Sequence, residues 1–309
     1  MTLHPDAQQF LDVIAESGAP PLTSMTPDEA REGSAFFIDL IGAGPDVAVV
    51  RDIEIPGPNG AIPARVYKPV PDPVGTVVYY HGGGWVLGCL DEFDAVCQAL
   101  AVASGARVVS VDYRLAPEHR FPAAADDAFA ALVRVAERHP GEPVAVAGDS
   151  AGGNLAAVSA LRAREAGGPE IALQVLVYPV VDCDLTRPSY VECSGSDLFL
   201  NTAEVVWFWD HYAPDEAERE HPYASPIRAP DLAGLPHAYI VVAQHDPLRD
   251  EGLAYAAALE SAGVPVTVAR YDDQIHAFFW LVNVMESANR AVAEVGAAIR
   301  DALSAKASA

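Results

Sequence analysis

Val144-Ala145-Val146-Ala147-Gly148-Asp149-Ser150-Ala151-Gly152-Gly153 is the stretch on which the fold turns. Four small and β-branched apolar residues read as a strand buried on both faces. A Gly-x-Ser-x-Gly turn follows at once, and a helix opens near Gly153. Flanking glycines permit a turn too tight for side chains and hold Ser150 at a strained apex with its hydroxyl exposed. The helix start adds a positive dipole end and free N–H groups, which suit developing negative charge.

Outward from this turn, apolar runs recur at 47–55, 61–67, 76–80, 107–111, 173–177, 238–242 and 266–271. Helical segments lie between the later runs, at 93–103, 123–137, 154–165, 251–262 and 286–302. Strands alternating with helices and apolar on both faces predict an α/β fold with a mainly parallel, eight-stranded sheet flanked by helices. The helical stretch 1–46 and the aromatic-rich stretch 182–225 stand outside this alternation. They are expected to form a helical cap, leaving 47–181 and 226–309 as the catalytic body.

Downstream of Ser150, two successive strands deliver an acid and then a base. The run 238–242 leads into Gln244-His245-Asp246-Pro247, and the run 266–271 into Asp272-Asp273-Gln274-Ile275-His276. Serine is a weak nucleophile unless a histidine, oriented by a carboxylate, removes its proton. Ser150, Asp246 and His276 are therefore expected at the carboxyl edge of the sheet. Asp250, Asp272 and Asp273 are the competing acids, while His211, His221, His237 and His245 read as packing or surface groups.

His81-Gly82-Gly83-Gly84-Trp85 follows the run 76–80. Three ordered glycines in a row cost entropy, and aiming backbone N–H groups into a site is the usual reason for them. The expected oxyanion donors are the amides of Gly83, Gly84 and Ala151. Neither glycine cluster continues into Lys-Ser/Thr, which excludes a Walker-type phosphate loop. Trp85, Phe199, Trp207 and Phe279 are candidate substrate-pocket residues.

Together these pieces resemble the hormone-sensitive-lipase-like branch of the α/β-hydrolases. The resemblance rests on the Gly-rich loop at 81–85, Asp112-Tyr113-Arg114-Leu115-Ala116-Pro117-Glu118, Gly148 to Gly153, Asp246-Pro247-Leu248-Arg249-Asp250 and Ile275-His276. It implies a carboxylesterase acting on short to medium acyl esters without cofactor or metal. An amidase using the same triad, or a non-catalytic binder on the same fold, are the rival readings. The 112–118 segment and His81 are expected to brace the glycine loop. In place of the glycine usual after the histidine stands Ala277, preceded by Asp272 and Asp273, whose charge is expected to bear on His276.

Composition narrows the partners. The chain has 309 residues, 43 acidic against 19 basic, and a formal net charge of −24. Nucleic acid and anionic membranes would repel it. No apolar run nears the ~20 residues of a membrane span. No cationic, apolar leader is visible and Cys89, Cys97, Cys183 and Cys193 form no Cys-x-x-Cys pair, so a cytoplasmic protein with free thiols is expected. The partner expected is a small-molecule ester, with a homodimer the oligomer that base rates favour.

Overall fold

The computed structural model describes residues 2–195 and 197–307. Eight strands form one sheet in the order β1-β2-β4-β3-β5-β6-β7-β8. β1 (Val49–Gly57) and β2 (Gly60–Lys68) make a hairpin, and β2 pairs antiparallel with β4 (Arg107–Val111). The rest is parallel: β4 with β3 (Thr76–Tyr80), then β5 (Val144–Asp149), β6 (Ile171–Val177), β7 (Ala238–His245) and β8 (Val266–Ile275).

Every residue of β3, β4 and β5 is buried, as continuous Val-rich strands covered on both faces require. One face packs on α4 (Asp94–Ser104) and α11 (Glu286–Ala307), the other on α5 (Ala123–Arg138), α6 (Ala151–Ala166) and α10 (Arg249–Ser261). Two apolar cores result, one on each side of the sheet.

Two stretches contribute no strand. The first holds α1 (Pro5–Ser17), α2 (Pro27–Glu32) and α3 (Ser34–Ile41); the second holds α7 (Pro188–Glu192), α8 (Thr202–Tyr212) and α9 (Glu216–Arg219). Both α2 and α8 open on capping boxes, Thr26 with Glu29 and Asn201 with Glu204, which fix where these helices begin.

Several boundaries differ from expectation, and those next to the site bear on its chemistry. β7 and β8 run on to His245 and Ile275, pairing beyond a register shift. α6 starts at Ala151, directly after Ser150, rather than near Gly153. Ser150 is thus itself the helix N-cap residue, closer to the positive dipole end than the sequence implied.

Candidate active site

Parallel strands deliver their following loops to one edge of the sheet, and here four of those loops meet. Ser150 follows the central strand β5 with φ 55° and ψ −119°, a conformation that side chains rarely adopt. Its backbone is fixed on both sides: the Ser150 N–H donates to Val177 O at 2.9 Å, and the Asn154 N–H to Ser150 O at 3.0 Å. A side chain at Gly152 would place its Cβ 1.9 Å from Tyr80 O, so only glycine lets α6 approach β3 this closely.

The next two loops close the constellation. His276 Nε2 lies 3.0 Å from Ser150 Oγ, and His276 Nδ1 lies 2.7 Å from Asp246 Oδ2. Asp246 is fully buried, while Ser150 and His276 keep 8% and 5% exposure. The other Asp246 oxygen accepts the Leu248 N–H at 2.8 Å, so the carboxylate cannot swing away from the ring. Since a carboxylate only accepts, Nδ1 donates and Nε2 is left as the acceptor facing the serine hydroxyl.

Competing residues lie elsewhere. Asp250 accepts from Ser189 and pairs with Arg249. Asp272 faces Arg270 at 3.5 Å, and the carboxylate on the His276 ring is that of Asp246. His211 donates back along α8 to Trp207 O, and His237 sits by Thr267.

Opposite Ser150, the glycine loop turns through Gly83 and Gly84, both at positive φ (104° and 59°). Gly84 packs against Phe208 so closely that a Cβ would lie 2.1 Å from its ring. The loop is closed by Val86 and Leu87 N–H groups donating to Gly83 O at 3.0 and 2.8 Å. Gly83, Gly84 and Ser150 line one cavity, and Ala151, the first residue of α6, has an N–H for which its own helix supplies no acceptor.

The segment 112–118 braces this loop. Tyr113 stacks on the His81 ring at 4.3 Å and donates to His81 O at 2.8 Å; the Ala116 N–H reaches Trp85 O. Arg114 grips Asp127, and Glu118 holds Arg31, which also donates to the carbonyls of Val86 and Ala116. Burial pushes the His81 imidazole down to about 4, so it is neutral and donates through Nδ1 to Gly82 O.

Asp149, the variable position of the Gly-x-Ser-x-Gly turn, carries more than the sequence disclosed. Its buried carboxyl accepts from Tyr79 OH at 2.7 Å and from the Gly82 N–H at 3.0 Å. Burial raises it to about 6, opposed by those hydrogen bonds and by the charge of His276.

The cavity above Ser150 measures about 1140 Å³. Its walls come from both non-strand stretches: Leu11, Ile14 and Phe37 on one side, Leu198, Phe199 and Phe208 on the other. Phe199 touches Phe10 and Phe37 at 5.4 and 6.0 Å, joining the two. Trp85 and Phe199 line the cavity, but Trp207 and Phe279 do not. Trp207 turns to the far side of α8, against His211, and leaves the wall to Phe208 and Trp209. Phe279 is fully buried in the core beneath, and Trp280 takes the lining place. Glu204 also faces the cavity; burial raises its carboxyl above the usual range, while His276 pulls it down.

A model of the alpha/beta hydrolase fold family matches residues 77–280. The chain is 45% identical over 254 residues to carboxylesterase NlhH of Mycobacterium tuberculosis, covering 79% of each chain. It is 36% identical over 325 residues to an ethyl acetate hydrolase of Pseudomonas putida, covering 98% of this chain and all of that one. Among solved structures, a Pyrobaculum calidifontis esterase superposes with a TM-score of 0.89 at 42% identity, covering 97% of this chain and 98% of that chain. A thermostable esterase from Pseudomonas putida reaches 0.91 at 36% identity, covering 98% of both.

Proposed function

This chain belongs to the α/β-hydrolase family, in its hormone-sensitive-lipase-like branch, and is an ester-hydrolysing serine hydrolase; we propose that Ser150, His276 and Asp246 are its catalytic triad. The observation that carries the proposal is the single imidazole bridging Ser150 Oγ at 3.0 Å and Asp246 Oδ2 at 2.7 Å.

Chemistry follows from that bridge. As Ser150 Oγ bonds to the ester carbonyl carbon, its proton passes to His276 Nε2, and Asp246 steadies the imidazolium through Nδ1. The oxyanion is received by the amides of Gly83, Gly84 and Ala151. His276 then gives its proton to the leaving alkoxide as the carbonyl–oxygen bond breaks, leaving an acyl-Ser150 ester. A water loses its proton to His276, attacks that ester, and Ser150 recovers a proton as the acid leaves.

The stretches 1–46 and 182–225 act as the cap over this site, on the body formed by 47–181 and 226–309. Their apolar side chains hold acyl and alcohol groups of limited size, which sets a preference for short to medium acyl chains. Among the described residues no helix is long and apolar enough to cross a membrane. Four free cysteines suit a reducing, cytoplasmic setting.

Initial rates on p-nitrophenyl butyrate test the assignment. Ser150→Ala and His276→Ala, with native melting curves, are expected to lose at least about a thousandfold in kcat. A folded Ser150→Ala variant with near-native turnover would remove Ser150 from the mechanism.

A further inference from the structure

β6 lies between β5 and β7 in the sheet, so the loop that follows it runs between the loops of Ser150 and Asp246. Tyr178 is the first residue of that loop. Its φ is 34°, in the left-handed region that favours glycine. A large aromatic residue held in such a conformation asks for a reason, and strain of this kind gathers at functional sites.

The backbone there is pinned from both sides of the site. Val177 O accepts the Ser150 N–H at 2.9 Å, and the N–H of the same peptide group, that of Tyr178, donates to Val241 O at 2.7 Å. Pro179 follows and packs on the first turn of α6, where a Cβ at Gly153 would lie 2.9 Å from Pro179 Cβ. The nucleophile, the helix it caps and the strand that leads to Asp246 therefore all hold Tyr178 in place.

Its ring reaches the histidine loop. The Tyr178 and His276 rings have centroids 4.6 Å apart, and Phe278 lies at 5.9 Å, backed in turn by Tyr271 at 4.7 Å. Ala277, between His276 and Phe278, is also at positive φ, 70°. Tyr178 is 1% exposed and does not line the cavity above Ser150, so it can act on the reaction only through a neighbour. Among the described residues its hydroxyl has no hydrogen bond of good geometry, which leaves the ring as the part that matters.

The imidazole needs such a contact. Its two hydrogen bonds, Nδ1 with Asp246 and Nε2 with Ser150, fix the two nitrogens, but they restrain the tilt of the ring about the line between those partners only weakly. One of the two is also interrupted during turnover, because an acylated Ser150 Oγ has no proton to give. Packing against the body of the ring is unaffected by acylation and holds the tilt throughout.

We propose that Tyr178 is a positioning residue for the Ser150 site: its ring, fixed by a backbone that Ser150 and β7 both hold, sets the tilt of the His276 imidazole. Nε2 is thereby kept aimed at Ser150 before acylation and at the attacking water after it. The inference rests on the triad reading above.

A double-mutant cycle tests it. Tyr178→Leu and Tyr178→Phe are made in the native protein and in His276→Ala, with kcat and KM on p-nitrophenyl butyrate and the melting temperature measured for each. Tyr178→Met, which fills more of the ring's volume without its flat shape, replaces Tyr178→Leu if that variant melts below the assay temperature. In the native background, Tyr178→Leu is expected to lower kcat by about 10- to 100-fold with KM within about threefold, and Tyr178→Phe to recover most of that loss. In His276→Ala, where the ring to be positioned is gone, Tyr178→Leu should change the residual rate by less than about twofold. Near-native kcat in folded Tyr178→Leu would overturn the proposal, as would equal losses in the Leu and Phe variants. So would the same fold-loss in both backgrounds, which would assign the effect to general packing around Ser150. A native rate in His276→Ala alone would instead remove the triad reading, and this inference with it.

Discussion

The carboxyl of Asp149 accepts the Gly82 N–H at 3.0 Å, tying the residue before the nucleophile to the loop that faces it across the site. One side chain thereby fixes the separation between Ser150 and the Gly83 and Gly84 amides. Asp149→Ala removes the tie and should lower kcat on p-nitrophenyl butyrate by about 10- to 100-fold with a smaller change in KM, since donors displaced by an ångström stop matching the oxyanion. Asp149→Asn keeps an oxygen for Tyr79 and Gly82 and should recover most of the loss. Equal damage from both variants would point to the charge rather than the tie.

Asp246→Asn is expected to be far more severe. With its oxygen held by the Leu248 N–H, the amide would turn its NH₂ toward His276 Nδ1 and force the proton onto Nε2, where the serine needs an acceptor. A fall in kcat of roughly 10⁴-fold at neutral pH, with an unchanged melting temperature, is the expected kinetic outcome.

Cavity size sets chain length. Rates on p-nitrophenyl esters should fall once the acyl chain exceeds about eight carbons. Phe208→Ala removes an aromatic wall beside Gly84 and opens room for a longer chain. It should raise the dodecanoate-to-butyrate ratio of kcat/KM several-fold, since each methylene seated in an apolar pocket is worth roughly 1–3 kcal/mol. A native optimum at long chains would contradict the cap assignment.

Glu251 supplies a pH signature of stability remote from the chemistry. It is buried on α10, accepting from the Val181 N–H and Tyr190 OH at 2.7 Å each, and burial raises it to about 8 despite those bonds. The folded state thus holds this proton more tightly than the unfolded chain. Its contribution is intact below the ordinary glutamate range and is lost as pH rises through about 8. Glu251→Gln keeps an acceptor for Val181 and abolishes the titration. Its unfolding free energy should gain on the native protein steadily from about pH 5 to about 8, reaching a difference on the order of a few kcal/mol at the alkaline end.

Much of this was legible in the chain, because strands covered on both faces leave unbroken apolar runs. Thr76–Tyr80 and Arg107–Val111 read with the bounds that the structure has. Asp246 and His276 could be placed at the same edge of the sheet as Ser150 because each lies within a few residues of the end of such a run. What failed was rotational: Trp207, Phe208 and Trp209 are consecutive on one helix, so at about 100° per residue they cannot all face the cavity. Which of them do is set by how α8 lies over the sheet, and the local sequence carries no record of that. Phe279 and Trp280 divide in the same way. Asp149 was silent for another reason: its partner, Gly82, is 67 residues away.

The most direct measurement of the central claim is mass-spectrometric mapping after incubation with a p-nitrophenyl alkylphosphonate, an acylation mimic that stays bound to its nucleophile. One phosphonyl group per chain is expected, on Ser150, at a rate that drops by at least about a thousandfold in His276→Ala. Labelling at another residue, or labelling of Ser150 that is indifferent to His276, would contradict the triad.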